Sequence, residues 1–149
     1  MKWNELYPGD YLQSISLLGH PVTTMILDVK KEMVENKQNN ISEEKVVLYL
    51  HNLPKMVCNK TNAKRIAQKA MSNETDDWKG IVITLYSQQG TWFGEEGTAV
   101  RVKQGPEKVI PFLTEAQDLK ELEIRHKLLG DKSDTPTVNR LIKEFNDKK

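Results

Sequence analysis

The sequence predicts a mainly β fold: a small five-stranded barrel with one inserted helix, followed by an α-helical appendage. Three observations carry this. Between residues 20 and 104, apolar runs rich in β-branched residues alternate with turn signals in the order strand, strand, strand, helix, strand, strand. Glycine and proline punctuate those runs. After Gly105-Pro106 the apolar period changes to that of a helix. The expected organisation is a lead-in over residues 1–19, a barrel over 20–106 and a helical extension over 107–149. At 149 residues the chain can bury a core without disulfides or metals.

Each element has its own warrant. Tyr11, Leu12, Ile15 and Leu18 stand at helix-like spacing after the Pro8-Gly9 turn, and Gly19-His20-Pro21 breaks the segment. Val22 to Val34 is a long first strand, and Glu35 to Glu44 a polar loop. Lys45 to His51 is the second strand, Asn52-Leu53-Pro54 turns the chain, and Met56-Val57-Cys58 is a short third strand. Thr61 is the expected cap of a helix from Asn62 to about Met71, with Ala63, Ile66, Ala67 and Ala70 on its apolar side. Ile81 to Tyr86 and Ala99 to Lys103 are strands four and five. The hairpin between them contains Gly90, Gly94 and Gly97. Gly80 reads as a bulge or close approach ahead of strand four. In the tail, Thr114 is the expected cap of a helix to Leu128, ended by Gly130. Thr137 to Phe145 carries the stripe Val138, Leu141, Ile142 and Phe145.

This element order is that of the OB-fold, a five-stranded, partly open barrel with its helix between strands three and four. A long first strand suits it, because that strand bends to pair with two neighbours.

Composition narrows the chemistry. Twenty-two basic and 21 acidic residues give a net charge of +1, so no global charge marks a polyanion binder. One cysteine, Cys58, excludes an intrachain disulfide and fits a reducing cytoplasm. Three scattered histidines, His20, His51 and His126, give no metal spacing, and no cofactor fingerprint is present. No apolar run is long enough for a membrane helix, and the first residues lack a signal-peptide core. Asp76-Asp77-Trp78 pairs two carboxylates, but a capped turn with Trp78 packed inward explains it better than a metal site. Asn59-Lys60-Thr61-Asn62 at a helix start suits ordinary capping better than phosphate binding. Cys58 has no neighbouring histidine and serine no nucleophile-elbow context, so no enzyme is expected.

The sharpest charge feature is the window 55–71, which holds Lys55, Lys60, Lys64, Arg65 and Lys69 and no acid. Single-strand binders need such charge beside aromatic faces. Trp92 and Phe93 in the hairpin, Tyr49 on strand two, and Arg101 and Lys103 on strand five supply the rest of the expected nucleic-acid surface.

The segments Asn59-Lys60-Thr61-Asn62-Ala63, Asp76-Asp77-Trp78-Lys79-Gly80, Leu85-Tyr86 and Val100-Arg101-Val102 carry a resemblance. Tyr7-Pro8 and Gly19-His20-Pro21-Val22-Thr23 fit it too. Together they make residues 5–104 similar to a family of small phage and prophage proteins carried among replication and recombination functions. Cys58 departs from that pattern, which usually has leucine before the Asn-Lys-Thr-Asn segment. The resemblance implies a phage protein in the cytoplasm of a bacterial host and favours DNA as ligand. It implies no catalytic residues and does not reach the tail. Single-stranded DNA, bound by charge and stacking without base readout, is therefore the expected partner. The alternative is a non-catalytic inhibitor or adaptor that binds host or phage proteins through the C-terminal helices, or self-associates through them. The near-neutral charge, the lack of an acidic C-terminal tip and the amphipathic tail favour that alternative.

Overall fold

The computed structural model describes residues 11–13, 17, 19–36, 41–92 and 95–148, without the side chains of 35, 36, 91, 92 and 95–98. Its contacts divide the chain into two compact units, Met1–Gly105 and Pro106–Lys149.

The first unit is a five-stranded antiparallel sheet with one helix. Its strands are β1 (Val22–Asn36), β2 (Ile41–Leu50), β3 (Met56–Cys58), β4 (Val82–Trp92) and β5 (Glu95–Val102). Helix α1 (Lys60–Ala70) lies between β3 and β4 in the chain. The spatial order is β3-β2-β1-β4-β5. The sheet is open: no ladder joins β3 to β5 among the described residues.

β1 serves two neighbours in turn. Val22–Met25 pair with Leu85–Val82 of β4, and from Ile26 onward the strand pairs with β2. The change of partner falls at a bulge between Ile26 and Asp28. There the Gly80 amide donates to the Ile26 carbonyl at 2.8 Å, and the Ile26 amide donates to the Ile81 carbonyl at 3.0 Å. Gly80 makes this approach at φ +83°, a conformation that side chains disfavour. The close approach expected of Gly80 is thus in place.

The core gathers where the two halves of β1 meet. Ile26, Leu48, Met56, Ile66, Ile83, Leu85 and Val102 are all 2% exposed or less. Helix α1 contributes Ile66, flanked by Ala63, Ala67 and Ala70, which matches the expected apolar side. Its cap differs from expectation. Asn59, not Thr61, is the N-cap, and its side-chain oxygen accepts the Asn62 amide at 2.9 Å. The helix therefore starts two residues early, and Asn62, expected to open it, is instead buried in its first turns.

Asp76-Asp77-Trp78 sits in a short 3-10 turn, Thr75–Trp78. Trp78 is 4% exposed, and its indole donates to the Ser72 carbonyl at 3.1 Å. Ser72 in turn donates to Asp77. Trp78 packs inward as the sequence suggests and Asp77 braces the turn through Ser72, but no aspartate caps it: its N-cap, Glu74, makes no side-chain cap bond.

Three further expectations need correction. The strands run past their predicted ends, because residues 35–44 and 88–98 belong largely to hairpin ribbons and not to loops. In the first ribbon both faces are wet, as at Met33 and Ile41 (63% and 53% exposed), so the apolar alternation that announces a strand is missing. Second, Tyr11 is not helical. It forms a parallel bridge with Lys55, and the Leu12 amide donates to the Lys55 carbonyl at 2.8 Å. The unpaired edge of β3 outcompetes helix formation there. Pro8, Gly9, Ile15 and Leu18 of the lead-in lie outside the described residues.

The third correction concerns the second unit. It holds α2 (Val109–Thr114), α3 (Leu119–Leu129) and α4 (Thr135–Asp147). Thr114 closes α2 and does not cap α3; Asp118 does, accepting the Glu121 amide at 2.7 Å. Pro111 hides α2 from sequence reading, yet it falls in the first turn, where proline is tolerated. Arg125, only 6% exposed, ties α3 to α2. Its Nη1 donates to the Phe112 carbonyl at 2.6 Å, and its Nη2 donates to Glu121 Oε1 at 2.7 Å. The guanidinium lies 4.9 Å from the centre of the Phe112 ring.

Candidate nucleic-acid interface

The residues expected to bind nucleic acid fall into two groups, set by different elements. The first lies along α1 and β5. Strand alternation puts Arg101 on the face of β5 opposite the buried Val102, and Lys103 directly follows the strand. The register partner of Arg101 on β4 is Tyr86. Arg65 reaches across from α1: its Nη1 donates to the Val102 carbonyl at 2.8 Å and meets the Tyr86 hydroxyl at 3.1 Å. Arg101 Nε donates to Gln88 at 3.0 Å. One turn beyond Arg65, Lys69 donates to the Gly105 carbonyl.

Asn62 fixes the helix against the strand at this point. It is 1% exposed. Its amide nitrogen donates to the Val100 carbonyl and its oxygen accepts the Val102 amide, both at 2.9 Å. A side-chain amide thereby satisfies the strand edge that a sixth strand would otherwise pair. The result is that Arg65 of the helix and Arg101 of the strand, distant in sequence, meet at Tyr86, with Lys69 one turn along α1 at Gly105.

Electrostatics in this region favour an anion. Arg65 is held by a carbonyl and a hydroxyl, neutral acceptors that position its charge without cancelling it. Among the described residues no carboxylate lies within ion-pair distance of Lys60, Lys64, Arg65 or Lys103. Lys60 and Lys64 are exposed on α1.

The second group lies on β1, β2 and β3. Tyr49, Lys30 and Glu32 share one face through the pairing of β1 with β2, and Lys55 precedes β3 on the same side. Glu32 organises them. It accepts a hydrogen bond from the Tyr49 hydroxyl on Oε2 and from Lys55 Nζ on Oε1, the latter at 3.0 Å. Lys30 Nζ lies 5.0 Å and Lys55 Nζ 5.7 Å from the Tyr49 ring centre, and Lys55 is also 5.1 Å from the Tyr11 ring. The Tyr49 hydroxyl, then Lys55, hold the Glu32 carboxyl below its usual range. The same bond to Glu32 raises Lys55 and Tyr49 above theirs. Glu32 is therefore ionised at neutral pH, and Lys55 ammonium is substantially neutralised by it.

The basic window of the sequence is thus split. Lys55 belongs with Tyr49 and Glu32, whereas Lys60, Lys64, Arg65 and Lys69 belong to α1. Phe93 and the side chain of Trp92 lie outside the described residues. Sequence reasoning did not single out Tyr86, Glu32 or Lys30. Two of the three had a usable signal: Tyr86 pairs with Arg101 once the β4–β5 hairpin is put in register, and Glu32 sits two residues from Lys30 on a strand.

Among the described residues there is no cluster of three histidine, cysteine or carboxylate groups able to hold a metal, and no helix long and apolar enough to cross a membrane. Comparison with known protein families, with curated proteins and with solved structures gives no match.

Proposed function

We propose that this is a non-catalytic, phage-encoded protein that binds single-stranded DNA during replication or recombination in the cytoplasm of a bacterial host. On this reading the open sheet is an OB-like barrel left unjoined between β3 and β5. The spatial order β3-β2-β1-β4-β5 and the place of α1 support that assignment. The observation that carries the function is the placement of Arg65. Its bonds to Val102 and Tyr86 bring the cations of α1 beside those of β5, making a strip of positive charge with an aromatic ring in it. Charge tracks the phosphates and the ring offers a face to a base.

The test is a salt-titrated anisotropy measurement with a labelled oligonucleotide. If two to four phosphates are neutralised, the log–log slope on a single strand is roughly −1.5 to −3. Absence of binding at low salt, where screening is weakest, overturns the proposal.

A second reading, a protein-binding module, draws on the helical unit. Ile124 and Leu128 lie one turn apart on α3 and are 45% and 37% exposed. That reading gains ground if the oligonucleotide fails to bind.

A further inference from the structure

We infer that Tyr49 and Glu32 form a base-reading subsite that favours cytosine over thymine. The inference rests on the single-strand reading above, but it concerns a different face, that of β1, β2 and β3.

Tyr49 is partly exposed, and in the free protein its ring is attended by two ammonium groups, Lys30 at 5.0 Å and Lys55 at 5.7 Å. Cations held over a ring at an exposed site are weakly bound, and base stacking on the same ring is the stronger interaction. A base that stacks on Tyr49 displaces Lys30 towards a flanking phosphate, where it remains useful, while Lys55 stays on Glu32. Tyr49 and Lys30 thus hold the parts of a stacked nucleotide: a π-face and a cation on a flexible stem.

Glu32 adds selection. The Tyr49 hydroxyl donates to Oε2 and Lys55 to Oε1, so the carboxylate is held at the hydroxyl edge of the ring. Each oxygen keeps a lone pair, because a carboxylate offers about four acceptor sites in all. A stacked base presents its edge there. Cytosine carries an amino donor at its 4-position, which a carboxylate accepts. Thymine carries a carbonyl oxygen at the same position, which an ionised carboxylate repels; its neighbouring N3–H can still donate, so thymine is disfavoured and not excluded. The stacking platform is indifferent to the base; the carboxylate beside it is not.

The experiment compares oligo(dC) with oligo(dT) of equal length, at one low salt concentration and across a salt series, for the full chain and for Glu32→Gln. The expected result is a preference for oligo(dC) of about three- to tenfold in the natural protein. Glu32→Gln should reduce it to less than about twofold, since a carboxamide can donate as well as accept. The salt slope for oligo(dT) should steepen by up to about 0.7, because Lys55, released from Glu32, can meet one more phosphate. Tyr49→Phe is the second variant. It keeps the ring and the carboxylate but removes the hydroxyl that holds them together, so the ratio of oligo(dC) to oligo(dT) affinity should fall. Equal affinity for the two oligonucleotides, or a preference that survives Glu32→Gln, overturns the subsite and leaves the basic strip standing. No binding of either strand at low salt overturns both.

Discussion

Asn62 and Val102 are joined as if they belonged to adjacent strands: the Val102 amide donates to the Asn62 side-chain oxygen at 2.9 Å, although Asn62 belongs to a helix. The companion bond to the Val100 carbonyl completes a two-point attachment at the edge of β5. Asn62→Ala removes both and leaves a buried N–H and a carbonyl without partners. Each orphaned group costs about 1–3 kcal/mol, so a loss of about 3 kcal/mol is expected in urea unfolding. A loss below about 1 kcal/mol would show that water or a shifted helix repairs the edge.

Lys60 and Lys64 probe charge apart from architecture. Both are exposed, and neither side chain makes a hydrogen bond or ion pair among the described residues. Changing both to glutamine should leave stability within about 0.5 kcal/mol. If both contact phosphates, the salt dependence of oligonucleotide binding becomes shallower by about 1.4. Arg65 is a poorer probe, because its removal also cuts the tie to Val102. An unchanged slope in the Lys60, Lys64 double variant would take α1 out of the binding path.

The sequence revealed the element order and the apolar side of α1, because buried runs such as Val46–Leu50 and Ile81–Leu85 announce themselves by β-branched composition. It did not reveal the length of β1 and β2, whose outer ends are wet on both faces and carry no apolar alternation. The cap was misassigned for a related reason. Asn59, Thr61 and Asn62 are all good capping residues, and only the burial of Asn62 against β5 decides among them. The split of the basic window was hidden because Lys55 and Lys60 are near in sequence, yet a strand and a turn send them to different elements. The role of Glu32 depends on register: only the pairing of β1 with β2 brings it to Tyr49, seventeen residues away.

Arg125 holds the helical unit from within. Arg125→Met removes the fork that joins Phe112 and Glu121. Breaking a fully buried pair costs about 3–5 kcal/mol; Glu121 keeps 20% exposure, so about 2–3 kcal/mol is expected. Arg125→Lys should recover only part of it, because an ammonium cannot serve the Phe112 carbonyl and Glu121 with the same planar geometry. Helical ellipticity followed through urea unfolding measures both. Full rescue by lysine would reduce the role of Arg125 to charge alone.

The Glu32–Lys55 pair gives a dependence on pH with a definite sign. The carboxyl of Glu32 is lowered from the usual 4.5, so its contribution is present above that value and is lost as pH falls through the lower folded value. Lys55 is raised from the usual 10.5, so its contribution is present below that value and is lost as pH rises through the higher folded one. Both groups are solvent-accessible and the effect is correspondingly small. In Glu32→Gln the melting temperature should fall less steeply on acidification below about pH 4.5 than in the natural protein. Asp28, also lowered, keeps some acid sensitivity in the variant. Parallel acid limbs in the two proteins would rule out the pair as a contributor.

Cys58 lies on the β3 strand against the core, 7% exposed, with burial pushing its thiol up to about 12. It is the one sulfhydryl in the chain. So protonated and so enclosed, it is inert to alkylating reagents while β3 stays paired with β2. Modification therefore waits on an excursion that peels β3 or α1 away from its neighbours. The molecule carries its own clock: the pace at which a thiol reagent consumes Cys58 counts how often that corner of the fold comes apart under native conditions.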